Sequence, residues 1–334
     1  MTLPNLKKLM LDTAYTCTSR ECSSLESAFT TFLSGADIDT LTIKHFQDSC
    51  EIEYPDFAQF RTSPKKLHLL VTTWTDEACA DYDIELHHRH ALFNLDLNAT
   101  WLTPMQAQLT HLTLHCNTYW GVYPQWQLNN LHFPQLKSLA LGKWTIAYDW
   151  QINFITSHGQ TLDQLTLTNC PILHALCMTP KQSNNIWDGP RPGTGRGRPH
   201  TVNFFPDLRW HTVLPEFTSK LPKLKHFSMG RGPIGIHFWN RADLSGDEAF
   251  EDRYSLTPCI DSSRYAIFHY GNGPVEWRER DIERGWYQKA GWESLPWRGD
   301  EIDEDLKRKV QYPDCLQEDQ EALRDLLRTV KGRC

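Results

Sequence analysis

Residues 109–117 read LTHLTLHCN, and residues 162–170 read LDQLTLTNC. Both stretches follow the pattern L-x-x-L-x-L and end in a Cys/Asn pair, which is typical of a leucine-rich repeat. In such a unit, alternate residues of a short strand face inward, so that leucines and polar residues take opposite sides. The Cys or Asn that follows turns the chain, and its side chain can bond to backbone groups. The pattern therefore predicts short parallel strands.

The same pattern recurs along most of the chain. Further copies are Leu136/Leu139/Leu141, Leu6/Leu9/Leu11, Ile38/Leu41/Ile43, Leu92/Leu95/Leu97, the degraded Leu224/Phe227/Met229, and a weaker run around Leu67 and Leu69. Copies that start at Leu109, Leu136 and Leu162 lie 27 and 26 residues apart, within the usual period of about 20–29 residues. The copy at Leu92 precedes Leu109 by only 17 residues, and 62 residues separate Leu162 from Leu224. These two spacings predict an irregular unit and a large insertion or undetected unit.

Helices are expected on the returning arms of the units. A capping box from Ser23 to Glu26 opens one helix, and Asp149 can cap another that carries Ile152 and Ile155. Each unit leaves an apolar face that only its neighbour can cover, so the units must stack. The predicted fold class is α/β, a leucine-rich-repeat solenoid. Its short parallel strands line the concave face, helices and irregular arms form the convex face, and a capping region ends the chain.

We divide the chain into four regions. Residues 1–178 form the leucine-rich-repeat region, and residues 179–200, rich in Gly, Pro and Arg, form a flexible loop. Residues 201–234 hold the last degraded repeat, and residues 235–334 form a C-terminal cap. This cap contains a predicted strand at Tyr265, Ile267 and Phe268, and a terminal amphipathic helix that ends with Val330. The helix is expected to cover the open end of the solenoid; the alternative is a partner-binding helix.

Composition excludes several classes of function. The net charge of −7 gives no overall attraction to nucleic acid or to anionic lipid. No stretch approaches the roughly 20 apolar residues that span a bilayer, and no signal peptide is visible. We therefore expect a cytoplasmic or nuclear protein whose ten cysteines are mostly reduced thiols. No cysteine pair has C-x-x-C spacing, so no metal is expected.

Three short motifs contain residue types that can bind phosphate or a metal ion. Gly230, Gly232 and Gly235 form G-x-G-x-x-G, but no helix pattern follows to hold a pyrophosphate. The cluster of His87, His88 and His90 lacks a second set of ligands and is read as a polar inter-repeat loop. Arg196 and Arg198 could touch phosphate, although a solvated loop is the simpler interpretation. The sequence therefore predicts no enzyme and no cofactor.

Polar residues that flank the second leucine of each unit are the candidate partner contacts on the concave face. They are Lys44, Asn94, Asp96, His111, Thr113, His115, Gln164, Thr166, Thr168 and His226. They include no acid–base pair with a plausible nucleophile. The expectation is therefore binding of a protein and not catalysis.

Three segments carry a resemblance to a family. Residues 133–173, together with SRYAIFHYGNGPVEW (263–277) and EALRDLLRTV (321–330), resemble fungal F-box proteins with leucine-rich repeats. The resemblance covers most of the chain after about residue 100. It implies that the repeats recruit a protein substrate to a cullin–RING ubiquitin ligase, to which an F-box joins them through the Skp adaptor. This sequence opens with LPNLKKLMLDT, already a repeat strand, so the Skp adaptor is an expected partner only if an F-box lies upstream.

Two other functions stay open. One is a leucine-rich scaffold or binding protein with no ubiquitin link. The other is an enzyme that uses the C-terminal region as a small domain. A buried, paired acid–base cluster around Arg264 to Trp297 would favour the enzyme.

Overall fold

The computed structural model describes residues 7–12, 38–47, 63–72, 84–85, 87–126, 128, 131–184, 202–230, 258–260, 264–270, 273–276 and 311–333. The helix predicted after Ser23 and the Arg196/Arg198 element lie outside these residues.

Seven parallel strands form one sheet, and their order in space follows their order in the chain. They are β1 (Lys8–Asp12), β2 (Thr40–Gln47), β3 (Lys66–Thr72), β4 (His111–Trp120), β5 (Ser138–Trp144), β6 (Gln164–Thr168) and β9 (His226–Gly230). Strands β7 (Ile172–Met178) and β8 (Val202–Phe204) belong to a second sheet. The mixed α/β class is confirmed.

Equivalent leucines of the repeat lie side by side in this sheet. Leu112 pairs with Leu139, which pairs with Leu165. The row of second leucines is Leu9, Leu41, Leu67, Leu112, Leu139, Leu165 and Phe227. The row of third leucines is Leu11, Ile43, Leu69, Leu114, Leu141, Leu167 and Met229. From β2 to β9 every member of both rows is buried, so one face of the sheet forms the core.

Helical residues pack against the leucine rows of this apolar face. Helix α2 (Asp149–Thr156) contributes Ile152 and Ile155, and helix α4 (Trp210–Lys220) contributes Trp210, Val213, Leu214 and Phe217 to the core that holds the leucine rows. Asp149 begins α2 as predicted but does not cap it. The Gln151 Oε1 atom instead accepts from the backbone N–H groups of Ala147 (2.8 Å) and Tyr148 (3.1 Å).

The ends of the strands repeat the same backbone geometry. Where the strands begin, two consecutive N–H groups donate to the carbonyl directly before the neighbouring strand, as Lys137 and Ser138 do to Thr110 O. At the other end, Lys143 (φ 55°) and Asn169 (φ 52°) both adopt the left-handed conformation at equivalent positions. The Cys170 thiol then donates to Leu141 O at 3.3 Å, as the sequence predicted for this turn position. Burial raises the pKa of this thiol to about 12, so it keeps its proton.

The predicted repeat strand at Leu92/Leu95/Leu97 is wrong. A short helix α1 (His87–Ala91) continues as a π-helical segment from Leu92 to Leu102. Phe93 and Leu97 are buried while Leu95 is 66% exposed, because residues four apart lie on the same side of such a helix and the residue midway between them lies on the other. The strand of this unit is β3, at the run that the sequence marked only weakly. The histidines from 87 to 90 consequently lie in a helix and not in the predicted loop.

A second sheet lies beyond β6, with strand order β11-β10-β7-β8. Its strands are β7 (Ile172–Met178), β8 (Val202–Phe204), β10 (Tyr265–His269) and β11 (Gly273–Glu276). Strand β10 confirms the predicted strand at Tyr265, but its parallel pairing with the fully buried β7 was not predicted. A short helix α3 (Pro180–Ser183) follows β7, whereas the sequence predicted a loop from residue 179.

The predicted terminal helix is present as α5 (Leu316–Lys331). It packs against α4 and reaches β9, the last strand of the seven. Leu323, Leu326 and Val330 enter the main core. The guanidinium of Arg333 donates to Thr218 O (2.8 Å) and Leu221 O (2.7 Å), so it ties α5 to the carboxyl end of α4.

Candidate functional site

The candidate site is the face of the seven-stranded sheet opposite the leucines. Side chains alternate along each strand, so the residues between and beside the leucines form three polar rows. The outer row, at the start of the strands, is Lys8, Thr40, Lys66, His111, Ser138, Gln164 and His226. The middle row is Met10, Thr42, His68, Thr113, Ala140, Thr166 and Ser228.

The third row lies towards the carboxyl ends of the strands. Asp12 pairs with Lys44, and the row runs on through Leu70, His115, Gly142, Thr168 and Gly230. The imidazole of His115 leans across the neighbouring strand, because a Cβ atom at Gly142 would lie only 2.0 Å from the His115 Cδ2 atom. Because Gly142 has no side chain, it leaves room for the His115 ring.

The middle row is closely packed. Thr42, Thr113 and Thr166 are 4%, 6% and 4% exposed. The His68 Nδ1 atom lies 2.8 Å from the Thr113 Oγ1 atom in a buried hydrogen bond. These side chains hold the strands in register and offer little surface to a partner.

The outer row is the accessible one. Lys66, His111 and Gln164 are half-buried, and Lys8 and His226 are exposed. Burial, together with the positive charges of Lys66 and Lys137, lowers the pKa of His111 to about 4, although Asp39 and Asp163 act in the opposite direction. His111 is therefore neutral at physiological pH and can act as both donor and acceptor.

Eight of the ten predicted contact residues share this face. His111, Gln164 and His226 lie in the outer row. Thr113 and Thr166 lie in the buried middle row, and Lys44, His115 and Thr168 lie in the third row, where Lys44 is 4% and His115 7% exposed.

Asn94 and Asp96 are the two exceptions. Both lie in the π-helical segment before β4 and not on the sheet, because the leucines around them are helical and not strand residues. Lys66, His68 and Ser138 do lie on the polar face but were not predicted. The alternation K-L-H-L-L from 66 to 70 carried the signal for two of them, but no Asn or Cys follows it to complete the repeat pattern.

A second cluster surrounds the fully buried carboxylate of Asp319 in α5. Its Oδ2 atom accepts from Arg264 Nε at 3.0 Å and from Tyr265 OH at 3.0 Å. Its Oδ1 atom accepts from the backbone N–H of His211 at 2.9 Å and from the His211 Nδ1 atom at 3.0 Å. Arg264 is itself buried, and its guanidinium lies over the ring of Tyr312. This is a buried, paired cluster of the kind that would favour an enzyme.

The arrangement nevertheless favours a structural clamp. His211, Cys315 and Asp319 place possible metal ligands within 4.8 Å of one another. The carboxylate, however, is already neutralised by Arg264 and accepts several hydrogen bonds. Burial raises the pKa of the Cys315 thiol, which is therefore protonated, whereas a nucleophile needs the thiolate. The thiol donates to Asp319 Oδ2 at 3.4 Å.

The other motifs add no chemistry in the described residues. His90 is buried and its Nε2 atom donates to Ile84 O at 2.8 Å, which gives it a structural role. Gly230 ends β9, and the remaining glycines of G-x-G-x-x-G lie outside the described residues. Among the described helices, none is long and apolar enough to cross a membrane.

Comparison with known proteins gave no relative. No family model matches this sequence, and no curated protein and no solved structure was found to be similar to it.

Proposed function

We propose that this chain is a non-catalytic protein-interaction domain, a leucine-rich-repeat solenoid whose polar sheet face recruits a protein partner. The observation that carries the proposal is the outer row, in which polar side chains run in register across seven parallel strands. Side chains on strands are held more rigidly than those on loops, which lowers the entropy lost when a partner binds.

The buried middle row supports this assignment of roles. Its short side chains and the bond between His68 and Thr113 fix the strands, while the outer row keeps exposed donors and acceptors. The neutral ring of His111 and the side chains of Gln164 and His226 offer varied hydrogen-bonding groups along the outer row. Such a surface suits a specific polar interface.

By its resemblance to F-box proteins with leucine-rich repeats, we propose that the partner is a substrate of a cullin–RING ubiquitin ligase. A scaffold with no ubiquitin link is the second candidate. The fold alone does not decide between them, since one architecture serves many functions.

The experiment compares two triple variants with the wild type. His111→Ala/Gln164→Ala/His226→Ala changes the outer row, and Arg324→Ala/Asp325→Ala/Arg328→Ala changes exposed residues of α5 as a matched control. Each tagged chain is expressed in cells of its source organism, and the proteins that copurify with it are quantified. Thermal unfolding checks the fold of each variant. The proposal expects a partner that binds the wild type and the control but is lost with the outer-row variant.

An equal set of copurifying proteins for both variants would overturn the binding face. The ubiquitin assignment is read from the same samples. Copurification of a Skp adaptor and a cullin with the complete gene product supports a ligase receptor, whereas a partner without them supports the scaffold.

A further inference from the structure

Lysines gather along the edge of the polar face where the strands begin. This basic edge consists of Lys7, Lys8, Lys65, Lys66, Lys137 and Lys225. Each lies in the outer row or directly before it. With a spacing of about 4.8 Å between strands, the edge spans roughly 29 Å across seven strands.

The acidic residues of the edge do not balance these lysines. Among the described residues of the edge, the carboxylates are Asp39 and Asp163. Asp39 lies 3.9 Å from Lys65, and Asp163 lies 4.0 Å from Lys225, both at the long limit for an ion pair. The described residues of the edge, six lysines and two aspartates, therefore carry a formal charge of +4, on a chain whose net charge is −7.

Five of the six lysines are exposed, and Lys66 is half-buried. The side chain of Lys65 is 61% and that of Lys225 51% exposed, and Lys137 is exposed as well. His111 sits between Lys66 and Lys137 and reports the local field, because both lysines help to lower its pKa. The positive potential therefore acts on the accessible outer row itself.

We infer that the basic edge binds an acidic segment of a protein partner, whose carboxylates contact Lys65, Lys66 and Lys137 while its backbone meets the outer row. The inference rests on the proposed function, since it names the chemistry of the partner at that same face. Charge complementarity of this kind speeds encounter and selects partners.

A peptide fits this edge better than a nucleic acid does. The outer row holds no Phe, Tyr or Trp side chain, so its aromatic rings are the small imidazoles of His111 and His226, and it holds no arginine for bidentate phosphate contacts. Asp39 and Asp163 also interrupt the lysines, which disfavours a continuous phosphate backbone. Half-buried polar groups such as Thr40 and Gln164 can bond to peptide amides instead.

The test uses a fluorescent oligo-glutamate peptide and measures its binding by polarisation at low and at high ionic strength. Lys66→Glu/Lys137→Glu is compared with the control Lys181→Glu/Lys331→Glu, which changes the net charge equally at exposed lysines of α3 and α5. We expect the first variant to weaken binding about tenfold or more and the control to stay within about twofold, with binding of the wild type falling as salt rises. A single-stranded oligothymidylate of equal charge is measured in parallel.

Three results would overturn the inference. They are equal binding of the peptide by both variants, no binding of the peptide by the wild type, and tighter binding of the oligothymidylate than of the peptide. Titration of the His111 ring by NMR gives an independent check, since reversal of both lysine charges must raise its pKa. If the peptide fails to bind while the outer-row variant still loses its cellular partner, the proposed function stands and only the acidic character of the partner is wrong.

Discussion

At the scale of single residues, His158 has both ring nitrogens engaged. The Nε2 atom accepts from the backbone N–H of Phe133 at 3.1 Å, so the proton lies on Nδ1, which donates to Phe154 O at 2.9 Å. Burial and the neighbouring His132 lower the pKa of His158 to about 4. The ring is therefore neutral in the folded protein under ordinary conditions.

This pKa predicts a loss of stability in acid. Above the ordinary pKa of about 6.5 both states of His158 are neutral, and as the pH falls towards 4 only the unfolded state takes up a proton. The free energy of unfolding should drop by about 3 kcal/mol over this window on account of His158. Urea unfolding at several pH values measures it, and His158→Gln should flatten the decline. A decline of unchanged steepness in that variant would contradict the assignment.

Gly142 gives a second prediction for a single residue. Gly142→Ala places a methyl group against the His115 ring, so we expect a loss of about 1–3 kcal/mol in the free energy of unfolding. His115→Ala removes the obstacle, and the double variant should recover part of the loss. Thermal or urea unfolding of the two single variants and the double variant gives the coupling. Simple addition of the two single effects would show that the ring does not occupy this space.

At the scale of elements, the strands carry stability through their leucine rows. Leu165 is fully buried in β6, so Leu165→Ala should lower the free energy of unfolding by about 2–5 kcal/mol. Leu95→Ala is the matched control, because Leu95 is 66% exposed in the π-helical segment. It should change stability by less than about 0.5 kcal/mol. Comparable losses for both leucines would mean that Leu95 lies in a core after all.

Helix α5 is held by the clamp around Asp319. Asp319→Asn would leave the buried guanidinium of Arg264 without its counter-charge, and we expect a loss of about 3–5 kcal/mol in the free energy of unfolding. Asp325→Asn, on the exposed side of the same helix, should have little effect, since surface ion pairs contribute about 0–1 kcal/mol. Urea unfolding of both variants measures the difference. A small effect at Asp319 would show that the clamp is dispensable.

The sequence predicted elements where the pattern was local. Leu112 and Leu114 predict a strand because the alternation is visible within six residues. The register of β4 with β5, which pairs Leu112 with Leu139, follows from the pattern that both strands share. The same pattern gave a wrong prediction at Leu95, because Leu92, Leu95 and Leu97 lie in a π-helical segment and not in a strand. Pairing of β7 with β10 joins segments about ninety residues apart, and no local pattern encodes such a contact.

At the scale of the whole molecule, the polar face was predicted more reliably than its accessibility. Alternation places His111, Thr113 and His115 on one side of a strand, and the structure has them there. Exposure depends on what the neighbouring strands bring, so the burial of Thr113 and His115 could not be read from their own unit. The basic edge arises in the same way, from lysines of different strands that meet only in the folded sheet.

The chain passes back and forth between the two sheets: β6 and β9 belong to the first, and β7, β8 and β10 to the second. This alternation matters if the chain is divided into two fragments. If the backbone were cut between residues 184 and 202, β6 and β7 would belong to one fragment, and β8, β9 and β10 to the other. Each fragment would then have strands whose pairing partners lie in the other fragment. Strand β6 pairs with β9, and β7 pairs with both β8 and β10. The molecule thus has the geometry of a split protein, whose separately expressed fragments could reassemble by complementation without a covalent link.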